Sequence, residues 1–309
     1  MKLYLFEPYD VLSFGGLKNF SAGESHIQKS SFPPPIMRFF PYFKKVYSVL
    51  LVKGKEVFLP VPADCLKPRK GEEGDLVIAP LRFPPVLEEE KPYEPAEGFV
   101  SLGDFVEKYA KGKGGFTLKK LSDFLETETR VGVKLCVSSR TSKESMLYSQ
   151  DFLRFKEDTF LGILASEPDR LKTFNKIGGE GRLARLKDEW DLPDFFKEEK
   201  TIKKGAKYKF YLLSHAFVKG GIEKEKSIKI GGKEFRILWL HNKGSEFISG
   251  FRKPFVEMLK PASVLILEAL EDGKVKRVCQ IDSYPEVIDK KEKFLERGWN
   301  SGIIVEVRV

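Results

Sequence analysis

The chain is poor in sulfur and in amides. Three cysteines, Cys65, Cys136 and Cys279, are spread over 309 residues with no Cys-x-x-Cys pair. That spacing argues against a disulfide framework and against a cysteine-ligated zinc, and is the usage expected in a reducing cytoplasm. Three glutamines and four asparagines stand beside 54 Lys and Arg, which resembles the composition of a thermophile protein. Long apolar runs are missing as well: VLIL at 264–267 is far short of the roughly 20 residues that cross a bilayer. The opening MKLYLFEPYD places acids and a proline where a signal peptide needs an apolar core, so a cytoplasmic protein is expected. No HExxH, DxD or convergent carboxylate cluster occurs, and the sequence calls for neither a metal nor another cofactor. The run Glu88, Glu89, Glu90 is consecutive and reads as a solvated loop.

What is present is apolar mass and positive charge. Hydrophobic residues make up 41% of the chain and include 26 phenylalanines, enough for two domains of about 150 residues each. The net charge is +9 and the pI about 9.2, a balance that favours polyanionic partners. The charge is patchy. Residues 170–187 carry six basic groups (Arg170, Lys172, Lys176, Arg182, Arg185, Lys187) against Glu180, and residues 18–45 carry five (Lys18, Lys29, Arg38, Lys44, Lys45) against Glu24. The stretch VLEEEKPYEPAE at 86–97 is acidic.

Along the chain, LYLFEPY (3–9) reads as a strand and is followed by a polar loop, 13–35, long enough to be suspected of function. IMRFFPYFKKVYSVLL (36–51) has helical length and an apolar stripe. EVFLPVP (56–62) and DLVIAPLRF (75–83) read as strands, SLGDFVEKYA (101–110) as a Ser-capped helix, and RVGVKLCV (130–137) as a strand. That order, β-α-β-β-α-β, is the order of a ferredoxin-like unit. Beyond the polar break at 138–145, SMLYSQDFLRF (145–155) and TFLGILA (159–165) read as strands. A helix is expected near PDRLKTF (168–174), then strands at 207–218, 234–241 and 263–270. The helix PEVIDKKEKFLERG (285–298) and the strand 303–309 complete a second, decorated unit. The predicted architecture is therefore α+β, two ferredoxin-like (RRM-like) domains at 1–140 and 141–309, the second with extra strands.

The most informative motif is NKIGGEGRLARL, 175–186. GEGRLA matches the G-x-G-x-x-A dinucleotide fingerprint, but a polar segment read as helical precedes it and no clean βαβ unit follows. It also lacks the GK[ST] ending of a phosphate loop. Two readings remain open on the residues alone. One is a glycine turn whose N–H groups and arginines meet phosphates; the other is a tight turn needing positive φ in a basic protein. LERGWNSGIIVEV (295–307) places Gly298 where a helix C-cap glycine belongs, and SGFRKP (249–254) reads as a basic turn. His26 sits in the long loop with Lys18, Lys29 and Tyr9 nearby in sequence, a set able to cleave RNA without metal or simply to contact it. His215 and His241 fall in strand-like segments and read as structural. Tyr4, Phe6, Phe14 and Phe20 can stack bases, but core packing is the simpler assignment in a chain so rich in Phe.

Taken together the segments resemble a known family, the third RAMP subunit of the type III-B CRISPR effector, the Cmr complex. The resemblance runs nearly end to end. FEPYDVLSFGGLKNF…SSFPPP (6–35) resembles the family's opening strand, Asp-containing turn and basic loop. RVGVKLCVSSRTSKESMLYSQDFLRF (130–155) is similar to its central R-x-G-…-LY-…-LR block, and IGGEGRLA (177–184) to its GGEGR signature. SGFRKPFVEMLKPASVLILE (249–268) resembles a segment that usually carries Gly-Trp and Pro-Ala-Gly-Ser-Val; here Phe251 replaces the tryptophan and PASV lacks the glycine. GWNSGIIVEV (298–307) resembles a degenerate RAMP glycine-rich loop.

The resemblance implies a non-catalytic RNA-binding subunit in antiviral defence. Such a subunit holds the 5′ tag of the CRISPR RNA (crRNA), docks on the large palm-domain subunit and abuts the neighbouring backbone RAMP subunits, with no membrane partner. On this reading Lys176, Arg182 and Arg185, with the N–H groups of Gly178, Gly179 and Gly181, hold tag phosphates. Lys18, His26, Lys29 and Arg38 form a second RNA-binding surface that Arg130 and Arg140 extend. Two alternatives stand beside it: a metal-independent RAMP endoribonuclease using His26 as general acid/base, and a structural adaptor whose basic patches dock an acidic protein surface.

Overall fold

A computed structural model describes residues 1–14, 26–68, 77–78, 93–135, 142–223, 225–248, 255–287 and 291–307. The described chain is mostly β with few helices. Its principal strands are β1 (Lys2–Pro8), β2 (His26–Gln28), β3 (Val46–Lys53), β4 (Glu56–Pro60), β5 (Phe99–Ser101) and β6 (Leu125–Leu135). They continue with β7 (Ser142–Phe155), β8 (Thr159–Ala165), β9 (Phe174–Lys176), β10 (Leu183–Asp191), β11 (Lys207–Leu212) and β12 (Ser227–Ile230). The last six are β13 (Lys233–His241), β14 (Ser245–Ile248), β15 (Val256–Leu259), β16 (Val264–Ala269), β17 (Val278–Gln280) and β18 (Ser301–Glu306). Two short α-helices are described, α1 (Leu102–Glu107) and α2 (Lys291–Glu296).

Two large antiparallel sheets dominate. The first runs β9-β10-β1-β8-β3-β4-β5 and the second β12-β13-β16-β11-β18-β17. Within each, four strands taken in chain order lie fourth-first-third-second: β10-β1-β8-β3, and β18-β11-β16-β13. The remaining strands decorate these sets. A long hairpin, β6 with β7, carries β2 in parallel on its β7 side.

Strand alternation decides how the sheets stack. Successive side chains of a strand point to opposite faces. Leu3 and Leu5 of β1, Leu50 and Val52 of β3, Tyr211 of β11, Val264 and Ile266 of β16, and Ile303 and Val305 of β18 share one buried cluster. Tyr4, Phe6, Val49, Leu51, Leu161 and Ile163 fill a second cluster, and Phe210, Leu265, Leu267 and Ile304 a third. The two sheets therefore pack face to face, and each also buries its outer face. That explains the unbroken apolar runs in the sequence, which a sheet with one wet face does not need.

The same burial accounts for the misread helix. Residues 36–51 are a 3-10 turn, Ile36–Phe39, followed by strand β3. VYSVLLVK is apolar on both faces and so imitates a helical stripe, while its β-branched residues favour the strand. Nor is 168–174 helical. The buried side chain of Asn175 takes the local backbone instead, accepting from the Lys172 N–H at 3.1 Å and donating to the Lys172 carbonyl at 2.5 Å. The Ser101 cap is present, its side chain accepting from the Asp104 N–H at 3.1 Å. Tyr4, Phe6 and Phe14 are core residues; Phe20 lies outside the described residues.

Of the polar break at 138–145 between the two expected domains, residues 138–141 lie outside the described residues and 142–145 open β7, which pairs with β6. Beyond it, β8 and β10 are the two neighbours of β1 in the first sheet. No helix among the described residues is long and apolar enough to cross a membrane.

Candidate nucleic-acid interface

The glycine stretch is the connection of a β-hairpin. β9 pairs with β10 in the register Phe174↔Arg185, Asn175↔Ala184, Lys176↔Leu183, and Gly179–Gly181 form a single 3-10 turn between them. A strand precedes the glycines, contrary to the helical expectation, but another strand follows them. The helix N-terminus that a dinucleotide site needs is absent, so that reading stays excluded for a firmer reason.

The glycines are explained by close approach. A Cβ on Gly178 would lie 2.9 Å from Cβ of Arg182 and 3.2 Å from Cδ2 of Leu12, and Gly181 has φ +72°. The Gly179 N–H donates to the Ser13 carbonyl at 2.8 Å and the Gly178 N–H to the Arg182 carbonyl at 3.3 Å. These two N–H groups are committed inside the protein. The expected anion cradle of glycine amides is corrected accordingly: the turn presents side chains, and the backbone of Gly178 and Gly179 locks it.

Three separate segments meet here. Leu12 exchanges both backbone hydrogen bonds with Leu153 of β7, at 2.9 and 2.7 Å. Gln150 Nε2 donates to Ser13 Oγ at 2.6 Å, and Ser30 Oγ donates to the Asp151 carbonyl at 2.5 Å. Residues 10–13 are thus held between the base of the β6–β7 hairpin and the glycine turn.

That junction gathers arginines. The guanidinium carbons of Arg130 and Arg182 lie 5.0 and 5.1 Å from the ring centre of the buried Phe152, a cation–π arrangement. Arg130 Nε donates to Glu128 at 2.7 Å, Arg154 Nη2 to Glu128 at 2.6 Å, and Arg182 Nη1 to Asp10 at 3.2 Å. Arg154 and Arg130 also reach Asp10, at 3.5 and 3.8 Å. Next to them Glu7 of β1, opposite Arg185 in register, accepts from Arg185 Nη2 at 2.5 Å and lies 3.6 Å from Lys187 Nζ. Lys187 is the extra residue of a β-bulge in β10, since Leu5 faces Asp188 while Phe6 faces Leu186; a bulge re-aims its side chain. The arginine hydrogen bonds hold the carboxyls of Glu7 and Glu128 below the usual carboxylate range, Arg185 chiefly for Glu7 and Arg130 chiefly for Glu128.

Apolar groups stand among these charges. Side chains directly opposite one another share a face, so Phe174, Arg185 and Glu7 form one row across β9, β10 and β1. Lys176 and Leu183 form the next row, and the Tyr9 N–H donates to the Leu183 carbonyl at 3.0 Å. Tyr9 is 80% exposed, Phe174 48% and Leu183 41%. A surface cavity of about 330 Å³ opens between Tyr9, Asp10, Val11, Gly181, Arg182 and Leu183. Glu7 continues the alternation of Leu3 and Leu5, whose face the second sheet covers. The exposed rows are therefore the uncovered margin of the inter-sheet face.

Of the expected site residues, Arg130, Lys176, Gly178, Gly179, Gly181, Arg182 and Arg185 come together here. Lys29 is exposed beside Ser30. Arg38 is exposed on the Ile36–Phe39 turn, whose buried residues pack on the opposite face of the first sheet. His26 lies on β2, its backbone paired with Tyr148, and its side chain is outside the described residues, as are Lys18 and Arg140. Arg154, Phe174 and the three carboxylates are not among the expected site residues, and Lys187 figures only in the basic patch. The alternation of charged and apolar residues along FLRF and LARLK is a sequence signal for Arg154 and Lys187 alone. The degenerate glycine loop is structural: Asn300 is fully buried and donates to the carbonyls of Phe217, Ile281 and Ser283.

Fold and site define a β-rich, double-sheet protein with one basic face studded with apolar groups. A sequence model of the CRISPR-associated protein family Cas_Cmr3 matches residues 43–256. The chain belongs to this family, the third RAMP subunit of the type III-B CRISPR effector. No curated protein matches the chain. Among solved structures it is similar to a chain of the cryo-EM structure of the Type III-B Cmr-beta complex bound to cognate target RNA and AMPPnP. The identity there is 16%, 86% of each chain is covered, and the TM-score is 0.47. A second structure of that complex, bound to cognate target RNA, matches at 15% identity over 85% of this chain and 86% of the other, TM-score 0.48. A chain of the crystal structure of the Csm3–Csm4 subcomplex of the type III-A interference complex matches at 12% identity. It is covered in full by 92% of this chain, TM-score 0.39.

Proposed function

We propose that this subunit is non-catalytic and holds the repeat-derived 5′ tag of the CRISPR RNA on the face built by Tyr9, Phe174, Lys176, Arg182 and Arg185, with Arg130 at its edge. The observation that carries the reading is the interleaving, on one exposed sheet margin, of cations with apolar and aromatic groups. Cations meet the phosphates of a single strand and exposed rings take its unstacked bases. In the complex the subunit docks on the large palm-domain subunit and abuts neighbouring backbone RAMP subunits, the arrangement that family membership supports. The two sheets are read as two ferredoxin-like units, since both have the fourth-first-third-second strand order of that fold. The division falls after Asp191, where the first sheet ends, rather than at 140.

The test is binding of repeat-derived guide RNA by wild type and by the Arg182→Ala/Arg185→Ala double variant over a salt series. Two lost phosphate contacts weaken binding and flatten the log–log salt slope by about 1.4. Unchanged affinity and slope would overturn the site.

A further inference from the structure

The basic face carries its own counter-ions. Five cations, Arg130, Arg154, Arg182, Arg185 and Lys187, each lie within 4 Å of Glu7, Asp10 or Glu128. All eight side chains are solvent-accessible, between 27% and 47% exposed. Asp10 alone gathers three arginines and lines the cavity beside Tyr9. The arginine hydrogen bonds lower the carboxyls of both Glu7 and Glu128 from their ordinary value. An arrangement made only to attract a polyanion has no use for these carboxylates, which offset three of the five positive charges.

We infer that Asp10 and Glu7 are competing residues that occupy the arginines of the RNA face and must be displaced by incoming phosphates, so that binding of every polyanion is weakened and only one with further contacts, such as stacked bases, stays bound. The inference rests on the reading of this face as RNA-binding. Solvent-exposed ion pairs are weak and exchange readily, so a phosphodiester held in register by stacked bases replaces a carboxylate. A floppy polyanion meets an arginine already neutralised. The displaced carboxylate then takes up a solvent cation, which opposes the counter-ion release that drives nucleic-acid binding. A carboxamide keeps the shape and one acceptor while removing the charge. Glu128, wedged between Arg130 and Arg154 at the hairpin base, acts as a positioning residue.

The experiment compares wild type, Asp10→Asn, Glu7→Gln, their double variant and Arg182→Ala/Arg185→Ala. The probes are a 20-nucleotide oligouridylate, heparin and the repeat-derived guide RNA. Each carboxamide is expected to tighten oligouridylate binding by about 2- to 5-fold, the range of an exposed ion pair. It also steepens the salt slope by up to about 0.7 and delays elution from heparin, with a gain at least as large for guide RNA, which displaces the same carboxylates. No gain or weaker binding in the carboxamides would overturn the inference; weaker binding would make the carboxylates simple supports of the arginines. If the arginine double variant also binds like wild type, the RNA-face reading itself fails. If it loses binding while the carboxamides gain nothing, only the present inference fails.

Discussion

Asp64 and Lys209 form an ion pair buried between the two sheets. Asp64, fully buried, follows β4 of the first sheet, and Lys209, 6% exposed, stands in the middle of β11 of the second. The Tyr109 hydroxyl donates to the other oxygen of Asp64 at 2.9 Å, and its ring centre lies 5.1 Å from Lys209 Nζ. Burial pushes the Tyr109 phenol and the neighbouring Cys65 thiol well up, with the charge of Asp64 adding to both. In an apolar interface a charge on one sheet is met by its counter-charge beside the other, which fixes how the sheets sit on one another.

Breaking the pair from one side leaves a bare buried charge. Lys209→Met is expected to cost about 3–5 kcal/mol in urea unfolding, whereas Lys209→Met combined with Asp64→Asn recovers most of that loss. A double variant no more stable than the single one would refute the account.

Gly298 sits where the chain leaves α2, at φ +98°, and a Cβ there would lie 1.9 Å from the Val46 carbonyl oxygen. The same junction holds the bond from the Val46 N–H to the Arg297 carbonyl at 3.0 Å. Gly298→Ala combines a strained backbone with a clash on β3 and should destabilise by roughly 3 kcal/mol or more. A thermal midpoint within a degree of wild type would contradict this.

Tyr9 buries little, so Tyr9→Ala should leave stability within about 0.5 kcal/mol. If its ring carries a base, guide-RNA binding weakens by about 1–3 kcal/mol while Tyr9→Phe binds like wild type. Equal affinity in all three proteins would remove Tyr9 from the interface.

Glu246 accepts from the buried His215 at 3.1 Å, and this bond is the chief cause holding its carboxyl below the ordinary 4.5. A depressed carboxyl contributes stability that is present above its unfolded value and lost as pH falls through the folded one. Glu246→Gln should therefore be less stable than wild type by about 1–2 kcal/mol at neutral pH. The gap should close only on the acid side of 4.5. Urea unfolding of both proteins from neutral to acid pH checks this; a gap independent of pH would assign the cost to packing.

Much of the strand content was legible. TFLGILA, SVLILEAL and EFRILWLH are β-branched or aromatic, too short for helices, and each became a strand. Residues 36–51 misled because both faces of the first sheet are covered, which erases the period-two signal. The hairpin at 174–185 misled differently: Asn175 supplies side-chain bonds that propensity does not see. Arg182 and Arg185 could be singled out from charge density, but nothing in the sequence places Arg130, 52 residues earlier, over the same ring as Arg182.

The sequence by itself determined the basic balance, the strand-rich composition and, through RVG and GGEGR, the family. Those properties are local or additive, and they survive without knowing what touches what. Only the tertiary structure decided that Asp10 meets three arginines, that the amides of Gly178 and Gly179 are already bonded, and that the apolar strands divide between inner and outer faces of two stacked sheets. Each of those facts depends on segments far apart in the chain being brought within a few ångströms, and only packing sets such distances.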